Sequence, residues 1–307
     1  MGLLALAAAA VLSWLIWLRG FSDYLSVTFE EASVTGEGFQ NLLESSNAEA
    51  FSSAAAWKED GEMELETEQS GRSTRVMVYG MRGQVQAVFG NTLLAGRYFT
   101  EGEETVCLLD ERAAKELFGS DDVTGREAVL MGETRKVTGI LRGDRGICVI
   151  PAGEDEAFQG VTVRKKRAEQ SSANALTAIS SYAQGETERI VDGQFCYILA
   201  LLRTAGILTA LTIIPAVLLI KVKEKRLAGA AVLATGLLIL AVFAFEIPLG
   251  SDYLPTYWSD FDFFGDLWEE KAQQIEGLRE HQEFWHEEGF LESFSLIFPL
   301  HGSAGKR

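Results

Sequence analysis

LLAGRYFTEGEETVCLLDERAAKELFG, Leu93 to Gly119, holds a complete strand-to-helix passage in a chain whose two ends contain long uncharged apolar runs. TVCLL reads as a buried strand, and Asp110 directly after it is placed to cap a helix. In ERAAKELFG, Ala113, Ala114, Leu117 and Phe118 make one apolar face, and Gly119 stands where a left-handed residue ends a helix. After the SDDVTG turn, REAVLMG and TRKVTGIL read as a hairpin about Gly132-Glu133, and ICVIP as a further strand.

On the N-terminal side, YLSVTFEEASV from Tyr24 alternates like a strand, and Phe39, Leu42 and Leu43 in GEGFQNLLESS have the spacing of a short helix. Between Ser52 and Gly80 the apolar period is two. AAAWKED, EMELETEQ and STRVMVYGM therefore read as three strands, with Asp60-Gly61 and Ser70-Gly71 as the turns between them. On the C-terminal side FQGVTVRKK reads as the last strand, and Ser171 to Ala183 as a helix. Together these elements predict an α+β domain with a mostly antiparallel sheet and packed helices.

That domain is bounded by membrane-like segments. Residues 2–18 form an uncharged run ending in Trp14, Ile16 and Trp17, which favours an uncleaved anchor over a signal peptide with a small-residue cleavage site. Residues 195–220 form a second apolar run, with Arg203 near its outer end and Pro215 as a predicted kink. Residues 227–248 form a third, which contains 19 uncharged residues before Glu246. KVKEKR, at 221–226, is the densest basic cluster beside any of them and belongs in the cytoplasm. The expected organisation is thus three spans, an extracytoplasmic domain at 19–194, a cytoplasmic loop at 221–226, and an extracytoplasmic tail at 249–307.

The formal charge is -17, and the tail alone holds twelve Asp and Glu against four Lys and Arg. Such a surface argues against a nucleic-acid partner. All three histidines, His281, His286 and His301, lie in the tail, so the domain has no Ser-His or Cys-His pair. His281 and His286 are five apart, off the spacing that places two metal ligands on one helix face. The terminal GSAGKR lacks the spacing and flanking elements of a phosphate loop. No catalytic residue, cofactor or metal is implied. Cys107 and Cys148 lie in strand-like runs outside the cytoplasm, where they could form a disulfide or remain as two buried thiols.

In the tail, Phe264, Leu267, Trp268, Ile275, Leu278 and Trp285 fall on one side of a helical pattern whose other side is acidic. The acidic side favours docking on the domain over lying on anionic lipid. Tyr257, Trp258, Phe261, Phe264 and Trp268 make an aromatic cluster just beyond the third span. It reads equally as an interfacial belt or as a partner surface.

Within Gly90 to Leu141, the sequence LLAGRYF, a strand ending in LLD, the helix RAAKELFG, then VTGREAVL and VTGIL occur in order. This stretch resembles the periplasmic core domain of MacB-like ABC transporter subunits, the family that also contains FtsX-like permeases. The resemblance implies a non-enzymatic membrane subunit that works with a separate or fused ATPase, its outer domain responding to or transmitting the motion of the spans. It makes Lys221, Lys223, Lys225 and Arg226 the candidate ATPase-coupling loop. Family permeases usually have four spans and larger cytoplasmic elements. Three spans and one short loop therefore imply either an accessory subunit beside a second, complete permease, or an interaction protein that has lost ATPase coupling.

Overall fold

The computed structural model describes residues 19–67, 71–90, 92–221, 229, 236, 250–255, 257 and 262–280. Within 193–221 the side chains are described through Ala210, except at position 208. The chain divides into two compact units: Tyr24–Lys166 with Ser172–Val191, and Met1–Asp23 with Arg167–Ser171 and Asp192–Arg307.

The first unit is a mixed α+β domain on a ten-stranded sheet. Its strands are β1 (Tyr24–Phe29), β2 (Val34–Thr35), β3 (Phe51–Thr67), β4 (Arg72–Gly83), β5 (Leu93–Gly96), β6 (Val106–Asp110), β7 (Glu127–Leu130), β8 (Glu133–Leu141), β9 (Ile147–Pro151), β10 (Ala157–Phe158), β11 (Gly160–Lys165) and β12 (Thr187–Asp192). The main sheet runs β12-β1-β11-β3-β4-β9-β6-β8-β5, while β2 and β10 form a small pair of their own. Pairing is mostly antiparallel, with β4/β9 and β6/β8 parallel.

One connection changes the character of half the sheet. β7 pairs with β8 and also with the far end of β3, through Leu65↔Leu130 and Glu66↔Val129. The circuit β3-β4-β9-β6-β8-β7 therefore closes on itself, which removes exposed edges there. Leu65, Val76, Val78, Cys107, Leu109, Val137 and Cys148 form its interior, and the helix α3 (Glu111–Phe118) contributes Ala113, Ala114 and Leu117 to the same core. The other half has a separate core. Leu25, Val27 and Phe29 of β1 and Val161 and Val163 of β11 pack with Phe39 and Leu42 of α1 (Gly36–Glu44) and with Ala175 and Ile179 of α4 (Ser172–Ser180). β3 serves both cores, pairing with β11 at one end and β7 at the other.

The expected turn at Asp60-Gly61 is not a turn. β3 runs through it as a single 17-residue strand, with a bulge between Glu59 and Gly61. Gly61 has φ +92, the left-handed conformation that a turn or a bulge glycine can equally adopt. The second expected turn does close a hairpin: Thr67 pairs with Arg72, and the Gly71 N–H donates to the Thr67 carbonyl at 3.0 Å. The β7/β8 turn uses Met131 and Gly132, one residue earlier than expected. FQGVTVRKK is split between β10 and β11, and it is not the last strand. β12 follows it, with Arg189 only 2 % exposed, so a charge at an inward position broke the apolar alternation.

The opening stretch folds as its sequence dictates. Asp110 is fully buried, and its Oδ1 accepts the Ala113 N–H at 2.9 Å, capping α3. Oδ2 accepts the main-chain N–H groups of Arg145 and Gly146, each at 2.8 Å, and so ties the start of β9 to the end of β6. Gly119 ends α3 at φ 73, and its N–H donates to the Lys115 carbonyl.

In the second unit, the Asp192 carboxylate caps α5 (Gly193–Lys221) by accepting the Gln194 N–H at 3.0 Å and the Phe195 N–H at 3.4 Å. The α5 backbone is helical without a break through position 215. The tail helix is α6 (Phe263–Glu280). Among the described residues no helix is long and apolar enough to cross a membrane. The first expected span lies outside the described residues, as does nearly all of the third and, in its side chains, much of the second.

Candidate functional site

The loop between β5 and β6 is the feature of the domain around which open space collects. It begins where two glycines meet: Gly96 pairs with Gly139 across β5 and β8. Gly96 has φ +76, and a Cβ there would stand 2.2 Å from the Thr138 carbonyl oxygen, so neither the backbone conformation nor the space admits a side chain. Phe99 then turns inward and is buried, while the Tyr98 hydroxyl donates to the Gly90 carbonyl at 2.7 Å.

The rest of the loop is folded around Glu103. Its carboxylate accepts Arg97 Nη1 and Nη2 at 2.7 and 2.6 Å, a two-point fork, together with the Thr100 N–H at 2.8 Å and the Thr100 hydroxyl at 3.0 Å. Arg97, and after it the Thr100 N–H, hold this carboxyl down to about 2. Sequence spacing alone missed the arrangement. The R-Y-F-T-E-G-E order gives a signal only once the chain is known to double back at Thr100.

Cavities open on both sides of this loop. One, of about 820 Å³, is lined by Phe51, Val85 and Phe99 together with the polar Ser53, Gln84 and Arg97. The other, of about 670 Å³, is lined by Arg82 and Arg135 with Glu101, Glu133 and Glu154. Arg82 Nη2 donates to Glu154 at 2.9 Å, while Arg135 donates to the Glu104 carbonyl at 2.8 Å and to Glu133 at 2.7 Å. Both guanidinium groups are largely buried, whereas Glu154 and Glu133 are mostly exposed. The two cavities thus flank the loop, each with a lining of mixed polar and apolar residues. Among the described residues no group of three or more His, Cys, Asp or Glu is placed to hold a metal ion.

Cys107 and Cys148 come together in the barrel interior, and both are free thiols. Leu109 is the residue directly opposite Cys148, which leaves Cys107 on the diagonal. Diagonal neighbours stand about 7–8 Å apart, beyond the usual reach of a disulfide, so a bridge would require β6 and β9 to shift. The hydrogen bond with Cys107, and then burial, push the Cys148 thiol well above its usual range.

Of the candidate coupling loop, Lys221 is the last residue of α5, while Lys223, Lys225 and Arg226 lie outside the described residues. Of the aromatic cluster, Tyr257, Phe264 and Trp268 are exposed, and Trp258 and Phe261 lie outside the described residues. The expected apolar side of α6 also carries Lys271: Phe264, Leu267, Trp268, Lys271, Ile275 and Leu278 fall on one side of the helix, and of these Lys271 and Leu278 are buried while Phe264 and Trp268 are exposed. Lys271 Nζ lies 5.5 Å from the centre of the Phe195 ring and 5.7 Å from that of Tyr253, and donates to Glu270 and Gln274. A lysine in the buried stripe was hidden from the pattern by its charge, although its aliphatic stem packs like an apolar side chain.

The sequence description of a MacB-like periplasmic core domain matches residues 1–192. Among solved structures, the chain is similar to the periplasmic region of MacB from Actinobacillus actinomycetemcomitans, at 17% identity and a TM-score of 0.48 over 58% of this chain and 92% of that one. It is also similar to the extracellular domain of the noncanonic ABC-type transporter YknZ from Gram-positive bacteria, at 16% identity and a TM-score of 0.40 over 50% and 88%. A domain of a putative permease protein from Porphyromonas gingivalis matches at 13% identity and a TM-score of 0.36 over 52% and 79%. No curated protein matches the chain.

Proposed function

Because the chain belongs to the MacB-like periplasmic core domain family, we propose that it is a non-enzymatic membrane subunit of an ABC-type transport or mechanotransmission complex. Its domain is held outside the cytoplasm, and its partners are a separate ABC ATPase, a second and complete permease, and the bilayer. The observation that carries this reading is the extent of the family match, which takes in the first apolar run and the whole domain through β12. The domain itself supports a mechanical role over a chemical one. The buried Asp110 carboxylate is spent entirely on main-chain donors. The domain's two thiols are sealed in a core.

In this reading Lys221, Lys223, Lys225 and Arg226 face the ATPase, and the cavities beside the Phe99–Thr105 loop face an extracytoplasmic partner. The test is affinity purification of the full chain from its native membrane, followed by ATPase assay of whatever co-purifies. An associated ATPase whose turnover changes when the four basic residues are replaced by glutamine supports the proposal. The shortness of the 221–226 loop favours the alternative of an extracytoplasmic interaction protein without coupling. Purification with extracytoplasmic partners and no ATPase would select that alternative.

A further inference from the structure

The second unit exposes apolar side chains in an ordered way. Along α5, positions from Gly193 to Leu201 are buried or nearly so, and the helix then presents Leu202 at 51 % and Ile207 at 48 % exposure. On the membrane topology proposed above, lipid covers these two side chains, so the hydrocarbon begins near Leu202, with Arg203 at its margin. Phe195 stands about 10 Å further out, at 1.5 Å of rise per residue. That places Phe195 at the outer limit of the headgroup layer, which reaches roughly 5–8 Å beyond the hydrocarbon.

α6 passes Phe195 at this level, because Lys271 lies over its ring. The buried stripe of α6 contains Lys271 and Leu278. Phe264 and Trp268, one turn apart at the start of the same side, stand at 60 % and 76 % exposure. Tyr257 at 71 % and Leu254 at 54 % precede them. Among the described residues, all the exposed large hydrophobic side chains except Leu94 and Met131 belong to this unit.

We infer that Leu254, Tyr257, Phe264 and Trp268 form an interfacial anchor that seats the tail helix in the headgroup layer of a zwitterionic bilayer. Trp and Tyr favour this layer because one end of the ring is apolar and the other is polar. Asp266, Glu269 and Glu270 on the same helix repel anionic headgroups, which selects zwitterionic lipid. The anchor would hold α6 against the first turn of α5, so that a tilt of α5 is passed to the tail.

The test uses the full chain in phosphatidylcholine vesicles, with a nitroxide label at Trp268→Cys, Ile207→Cys or Glu269→Cys. The native thiols are buried and remain unlabelled. Collision with oxygen is compared with collision with a water-soluble nickel chelate. The expected oxygen-to-nickel ratio is highest at 207, intermediate at 268 and severalfold lower at 269, and adding phosphatidylglycerol lowers the ratio at 268. A ratio at 268 equal to that at 269, with 207 still in hydrocarbon, overturns the anchor and leaves the topology standing; shielding of 268 only in native membranes would assign the surface to a protein partner instead. An aqueous signal at 207 overturns both. Trp268→Phe gives an independent reading, since it should remove a distinct part of the tryptophan quenching caused by lipids brominated near the headgroup.

Discussion

Replacing Asp110 with alanine strands three main-chain donors at once, and the cost can be worked from their surroundings. The Ala113 N–H loses its cap, a change that costs about 1 kcal/mol. The Gly146 N–H is buried and loses its acceptor, which costs about 1–3 kcal/mol, and the partly exposed Arg145 N–H adds less. The expected total is about 2–5 kcal/mol. Asparagine retains one oxygen, so it can satisfy the cap or the β9 pair but not both, and it should recover about half of that loss. The assay follows from the two thiols in the same core: the full chain is titrated with urea, pulsed with a thiol reagent, and the modification of the Cys107 and Cys148 peptides is read by mass spectrometry. The shift in midpoint, multiplied by the common slope, gives the loss. A loss under about 1 kcal/mol in Asp110→Ala, or an Asp110→Asn variant indistinguishable from the parent, would show that water replaces the carboxylate and that the three bonds do not organise this junction.

Three further outcomes are expected. Gly96→Ala should destabilise the domain by about 2–4 kcal/mol, from a positive φ and from a methyl group forced against the Thr138 carbonyl, read as a lowered urea midpoint in the same assay. The carboxyl of Glu103 is held at about 2, below its unfolded value, so the stability it contributes is complete above the unfolded value and is lost as pH falls toward 2. Glu103→Gln should therefore show a shallower loss of urea stability than the parent over that acid window, and an unchanged slope would refute the assignment. Thiol counting on the purified chain, denatured without reductant, should find Cys107 and Cys148 both free, and a mass lower by two hydrogens would mean that β6 and β9 had moved together.

The sequence made the local structure of the domain readable where polar and apolar residues fall at the intervals of one element. Asp110, the α3 face and Gly119 are such a case, since a cap, a stripe and a left-handed stop act within a few residues of each other. Gly61 shows the limit, because a glycine with positive φ serves a turn or a bulge, and only the partner strand decides which. Arg189 and Lys271 were missed for a shared reason: each buries a long aliphatic stem behind a charge that hydropathy patterns count as solvent-facing. The closure of the barrel through β3 and β7 joins residues about 65 positions apart in the chain, and nothing local specifies it. The candidate site was legible as a family motif, with LLAGRYF leading into it, but its cavities arise from a loop folded over a distant strand end.

The length of β3 bears on how such a domain could respond to force. A strand shared by two cores couples them, because loosening either half strains the β3/β4 ladder that runs past both. Load applied at the β11 end would travel along one covalent backbone into the closed barrel, so the two halves should yield together, in a single event on a pulling trace.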